Sequence, residues 1–193
     1  MRRTPVRHHL LAATLLCIAL APSRAAAQEA ERQGGRFGVS LFGGIGNAGG
    51  SDSGSATMGL SGLSLRFGSA MTDRFHLLGE FTLGVMPGGR VAGLGDVTAF
   101  HAALDFAGEG YIGPRFFLRG GVGAGWASAN AGNTWYLPLP GPRFSGAVGY
   151  ALWRRGTRQF SLALETSYTM LFRASSAFDR LITVALHVGF DWY

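Results

Sequence analysis

The last fourteen residues, Arg180 to Tyr193, divide by parity into two different surfaces. Ile182, Val184, Leu186, Val188, Phe190 and Trp192 are all large and apolar, and Thr183, Ala185, His187, Gly189 and Asp191 between them are small or polar. Successive strand side chains point to opposite faces, so this period of two predicts one β-strand with a bulky apolar face and a compact polar face. The pattern recurs upstream. It predicts further strands over about Phe37–Ile45, Gly59–Phe67, Phe75–Val85, Ala99–Phe106, Phe116–Trp126, Phe144–Leu152 and Phe160–Met170. In the second of these, Met58 and Leu60 fall on the wrong parity, which a bulge would reconcile.

The N-terminus must be set aside before the fold is argued. Arg2, Arg3 and Arg7 precede an apolar run, Leu10 to Ala21, that is too short to span a bilayer, and Ala25-Ala26-Ala27 offers a small-residue cleavage site. Residues 1–27 are therefore expected to be a cleaved signal peptide, 28–35 a short polar lead and 36–193 a single barrel domain. Cys17 is preceded by Leu15 and Leu16 rather than by the small residue a lipoprotein signal needs. Without Cys17 the chain has no cysteine, which excludes disulfides and thiolate metal sites. The mature chain keeps thirteen arginines against eleven acids, a net +2 rather than the +6 of the full chain, and this gives no ground for nucleic-acid binding. It contains no lysine, so lysine-dependent chemistry, including Walker A phosphate binding, is excluded.

Alternation alone does not separate a membrane barrel from a soluble one, but residue types do. The compact face is mostly Gly, Ala, Ser and Thr with a few charges, which suits the crowded interior of an eight-stranded barrel; the other face is almost unbrokenly apolar, which suits lipid. Short turns (Ser69–Arg74, the Gly108–Gly113 region, Arg154–Arg158) alternate with longer loops (Gly46–Thr57, Met86–Asp96, Ala127–Pro142, Leu171–Asp179), as periplasmic turns and extracellular loops do. Phe37, Phe67, Phe75, Phe116, Phe160 and Trp192 sort to one rim and Phe100, Trp126, Phe144 and Tyr168 to the other, giving two interfacial girdles. The expected fold is all-β: an eight-stranded antiparallel up-and-down transmembrane β-barrel. From about Arg36 to Tyr193 the chain resembles the OmpA transmembrane domain and the OmpX-type proteins. It departs from them in placing Tyr193 one residue beyond Trp192, the last of the lipid-facing series. The resemblance implies export to the outer membrane, contact with its lipid and lipopolysaccharide, and handling by the outer-membrane assembly machinery. The absence of a following peptidoglycan-binding domain gives no cell-wall tethering role.

The inward parity carries Arg66, Glu80, Asp105, Arg119, Glu165 and Asp191, and buried charges must be paired, so Arg119 is expected to meet Glu165 or Glu80. Such pairs either plug the barrel or form a gate by exchanging partners. His101 and Asp105, like His187 and Asp191, are four residues apart on one strand, about 13 Å, too far to share an ion. No metal or other cofactor is expected. Gly44-Ile45-Gly46-Asn47-Ala48-Gly49 matches a dinucleotide-binding glycine pattern, but Gly50-Ser51-Asp52-Ser53-Gly54 cannot open the helix that motif needs. His76, His101 and His187 all fall on the inner parity, so no Ser/His pair occupies the outer face and no catalytic residue is nominated. Asn133, Trp135 and Tyr136 form a candidate contact surface on the third long loop, unless their aromatics fold back onto the membrane rim. The expectation is a non-enzymatic structural or surface-interaction role, with a narrow low-conductance pore next. A lipid-modifying enzyme and a soluble periplasmic lipocalin-like carrier follow.

Overall fold

The computed structural model describes residues 34–50, 54–91, 95–131, 134–136, 140–172 and 179–193; the expected signal peptide and most of the lead lie outside them. The strands are β1 (Gly35–Gly50), β2 (Gly54–Thr72), β3 (Phe75–Val91), β4 (Gly95–Ile112), β5 (Phe116–Ala131), β6 (Thr134–Tyr136), β7 (Gly141–Arg155), β8 (Arg158–Met170) and β9 (Arg180–Trp192). All pairings are antiparallel, and β1 pairs with β9 to close the sheet on itself. The short β6 lies opposite the top of β5, Ala129 facing Tyr136, and β7 takes over lower down, with Gly125 facing Gly141. β6 and β7 therefore face successive stretches of β5 and share one position in an eight-position barrel. Closure pairs the lower wall on both sides of every strand, whereas above it Gly54–Leu60 of β2 pairs only with β1, Met86–Val91 of β3 only with β4, and β6 only with β5.

The two faces expected from parity are the two sides of the barrel wall. Leu41, Leu104, Leu118, Val122, Leu164 and Leu186 are exposed on the outside, and Ser40, Ser64, Thr82, Ala103, Ala163 and His187 are buried inside. The ladders explain why the outer face reads so cleanly. Phe37 stands opposite both Phe67 and Trp192, and Leu63 stands opposite both Leu41 and Leu83, so like faces like around the wall.

Three sequence expectations need correcting. First, the strands run well into the supposed loops. β1 and β2 stay in register up to Gly50 opposite Gly54, and β3 and β4, after a one-residue slip between Met86 and Gly89, pair up to Val91 opposite Gly95. Second, no bulge interrupts β2 between Gly54 and Ala70; Met58 and Leu60 simply point into the lumen, both buried. Third, β5 reaches Ala131, so the expected loop Ala127–Pro142 is largely strand: Trp135 and Tyr136 belong to β6, and Asn133 lies outside the described residues. The short turns fall in the expected places, at one rim with the start of β1 and the end of β9. They are tighter than expected, since strands run to Thr72, Ile112 and Arg155 and resume at Phe75, Phe116 and Arg158. In one of them, Thr72 Oγ1 accepts hydrogen bonds from the backbone of Arg74 (3.3 Å) and Phe75 (3.0 Å).

Candidate functional site

The lumen is the place where chemistry-bearing side chains converge, and it is filled in three layers. In the middle, four arginines (Arg36, Arg66, Arg119, Arg143) and five carboxylates (Glu80, Asp105, Glu109, Glu165, Asp191) are all buried. Register sets up part of this contact: Arg66 faces Glu80 across β2–β3, and Glu80 faces Asp105 across β3–β4. Glu109 likewise faces Arg119 across β4–β5, and the remaining contacts reach diagonally to a neighbouring strand or across the barrel. Arg119 on β5 approaches Glu165 (2.9 Å), Glu80 (3.5 Å) and Glu109 (3.9 Å). Arg143 on β7 bridges Asp105 (2.9 Å) and Glu165 (3.0 Å), and donates to His101 Nε2 at 2.9 Å. Arg36 meets Glu109 at 2.5 Å and shares Asp191 with Arg66, each guanidinium 3.2 Å from a carboxylate oxygen.

All six charges nominated from the sequence lie in this layer. Arg36, Glu109 and Arg143, equally buried, were not nominated. Glu109 sits where the sequence reading had placed a turn, and Arg36 and Arg143 sit one residue before the predicted strand starts Phe37 and Phe144; the inward parity of all three follows once the strands are extended. A directional polar chain runs through the same layer: Ser64 Oγ donates to Glu80 (2.7 Å), Ser40 lies 2.9 Å from Ser64, and His187 Nδ1 lies 3.3 Å from Ser40. With Ser64 donating onward, Ser40 donates to Ser64 and His187 Nδ1–H donates to Ser40. Glu80, Glu165 and His187 each offer a ligand atom, all within 4.8 Å of one another. A cation there would displace the Arg119 guanidinium that already contacts both carboxylates.

Above this layer, away from the short turns, the lumen is largely apolar, with Ser167, Thr169 and Thr183 buried on one side of it. Phe42, Met58, Leu60, Met86, Val97 and Leu181 pack together and are buried. The Phe42 ring stacks on His187 at 4.9 Å and joins the two layers. Below the charges lies an aromatic floor. Tyr111 packs on Phe117 (5.6 Å between centroids), and its hydroxyl lies 3.3 Å from the Tyr193 hydroxyl and accepts from Gln159 Nε2 at 3.0 Å. Tyr193 thus follows the inward parity of Asp191, with Arg36 5.2 Å above its ring, which accounts for its place beyond Trp192.

The glycines of the inner face leave the volume this network fills. A Cβ on Gly38 would overlap the Asp191 carboxylate and stand 3.2 Å from Arg66 Nε. Gly38→Ala is therefore expected to lower unfolding free energy by about 1–3 kcal/mol, as overpacking does. Gly110→Ala, where nothing lies within 4 Å, is expected to stay within about 0.5 kcal/mol of the parent. Urea unfolding in lipid vesicles compares the two.

No protein-family model and no curated protein matches the chain. Its fold is that of the small eight-stranded outer-membrane β-barrels, the resemblance read from the sequence. The attachment invasion locus protein Ail of Yersinia pestis superposes with a TM-score of 0.61 at 13% identity, over 82% of this chain and 99% of that one. Neisserial surface protein A superposes with a TM-score of 0.59 at 14% identity, over 83% of this chain and 99% of that one. Ail in complex with the heparin analogue sucrose octasulfate superposes at 0.55 over 82% and 99%, at 13% identity. At these identities the likeness is one of fold.

Proposed function

We propose that this is an outer-membrane protein with a closed lumen, acting as a non-enzymatic structural or surface-interaction element. The stacked filling of the lumen carries the reading: among the described residues, paired charges lie between a largely apolar layer and an aromatic floor, the side-chain filling expected of an eight-stranded barrel. The outer face supports membrane residence, since a soluble barrel would not turn Leu41, Phe106 and Leu186 to the solvent while burying nine charges. The histidines His76, His101 and His187 are all buried in the lumen, away from any lipid-facing nucleophile. Carrying over the binding of a polysulfated sugar from Ail lacks support in charge. The segments joining strands at the surface end, together with the adjoining ends of β3, β4 and β9, hold Arg90, Arg173 and Arg180 against Asp52, Asp96 and Asp179 in sequence, and so cancel.

The narrow pore is the second reading, and one observation favours it. Arg119 Nη1, Asp105 Oδ1 and Glu109 Oε2 are buried and make no hydrogen bond among the described residues, Nη1 and Oε2 standing 3.9 Å apart. Buried polar atoms of this kind are commonly met by water, so the middle layer has the character of a hydrated compartment. The apolar layer closes that compartment. Planar-bilayer recording on the folded protein tests the choice: no stable conductance is expected from the parent, and discrete openings in the parent would establish the pore reading instead. The envelope location is read separately, as a band in the outer-membrane fraction that shifts on boiling.

A further inference from the structure

Charge outside the lumen is divided unequally between the two rims. The surface-end segments cancel, whereas the three short turns hold Arg74, Arg115, Arg154, Arg155 and Arg158 against Asp73, a surplus of four arginines. The sequence just before β1 adds Glu29, Glu31 and Arg32 and offsets one of them. Arg74, Arg115, Arg155 and Arg158 are exposed, and none makes a side-chain hydrogen bond or ion pair among the described residues.

The β7–β8 turn has a geometry suited to an anion. Arg155 and Arg158 stand directly opposite each other in the ladder, where like charges repel. Gly156, with φ of 53°, allows the tight reversal between them. One strand turn earlier the register slips: Ala151 faces Ser161 and Trp153 faces Phe160, so Leu152 is the extra residue of a bulge. The bulge leaves Leu152 and Trp153 both exposed on the outer side, and turns Arg154 back over the Tyr111 ring at 4.3 Å. Trp153, Arg155, Gly156, Thr157 and Arg158 line a concavity of about 370 Å³. An indole at the headgroup level beside two unpaired guanidinium forks is a phosphate-recognising arrangement at a membrane interface.

We propose that this turn, with Arg74 and Arg115 on the same rim, binds the phosphate of an anionic phospholipid in the periplasmic leaflet. The inference rests on the membrane-barrel reading above. Charge complementarity selects the occupant: the bare turn repels itself, a phosphodiester between Arg155 and Arg158 removes that repulsion, and its acyl chains lie along the exposed Leu152–Trp153 face. The opposite rim, with its charges cancelled, has no such preference.

Native mass spectrometry of the full mature barrel in detergent, titrated with phosphatidylglycerol or with phosphatidylcholine of the same chain length, tests this. The parent is expected to bind phosphatidylglycerol more tightly. Arg155→Gln/Arg158→Gln should weaken that first binding by roughly fivefold per arginine removed and leave phosphatidylcholine unchanged, and Arg180→Gln on the other rim should change neither. The proposal is overturned if the double variant, still shifting on boiling, binds phosphatidylglycerol as the parent does, or if the parent shows no preference. Complete displacement of the lipid by excess inorganic phosphate would also overturn it, in favour of a free-phosphate site. A parent that forms no detergent-resistant barrel sinks the membrane reading itself, a different failure.

Discussion

Arg119→Ala should destabilise the barrel by about 3–5 kcal/mol, because it removes the partner of several buried charges and replaces it with nothing. Glu80, Glu109 and Glu165 would each lose a guanidinium now within 3.9 Å, and three arginines would face five carboxylates in the lumen. The effect belongs to the imbalance rather than to the lost contact, and this separates it from ordinary truncation. Arg119→Ala combined with Glu80→Gln restores the original balance and should recover a substantial part of the loss, a coupling that a double-mutant cycle measures directly. Arg119→Lys should fall between parent and alanine variant, since an ammonium cannot fork between two carboxylates as a guanidinium does. Equilibrium unfolding in lipid vesicles gives the three values. An alanine variant within about 0.5 kcal/mol of the parent would mean that the network does not hold the barrel together. Planar-bilayer recordings on the same variant separate plug from gate. The layer of Phe42, Met58 and Met86 is untouched, so conductance should stay at baseline, and new openings would make Arg119 a gating residue.

The wall of this barrel was legible in the sequence, and the reason is physical. The outer face is apolar throughout, so Ile182, Val184, Leu186 and Val188 read as one series, as do Phe160, Leu162 and Leu164. Strand ends were not legible. Gly46–Gly50 and Gly54–Thr57 carry no bulky alternation, yet they are ladder-paired throughout. A closed barrel continues its hydrogen bonding as a backbone property, and glycine-rich segments do so without leaving a side-chain signature.

The lumen was partly legible, for a different reason. The rule that bulky means outward holds only where the interior is polar. Met58 and Leu60 broke it because the upper lumen is apolar, and the same breach was already visible at Phe42, an inward position of β1. Arg36, Glu109 and Arg143 were hidden by the shortened strands; counting parity one to three residues past each apparent end would have found them. Pairing was the part no parity could supply. Arg143 meets Glu165 across a ladder, but Arg36 meets Glu109 across the barrel, and only closure brings β1 and β4 within reach.

The second large effect concerns the outer face. Leu186 lies near the middle of β9, 51% exposed, with Gly43 and Leu164 as its ladder partners. Ile112, 60% exposed, is the last residue of β4 at the short-turn rim. In water the two are equivalent, and replacing either exposed side chain by arginine should change stability by no more than about 0.5 kcal/mol. In a bilayer they differ by depth. Leu186→Arg places a guanidinium in the hydrocarbon and should cost about 2–4 kcal/mol, whereas Ile112→Arg can extend its charge to the headgroups and should cost about 0–1 kcal/mol. The difference between the variants, measured by unfolding from vesicles, therefore reports on the surroundings of the wall rather than on its internal packing. Equal and small costs at both positions would place the outer face in water, and would remove the membrane reading along with the lipid site that depends on it.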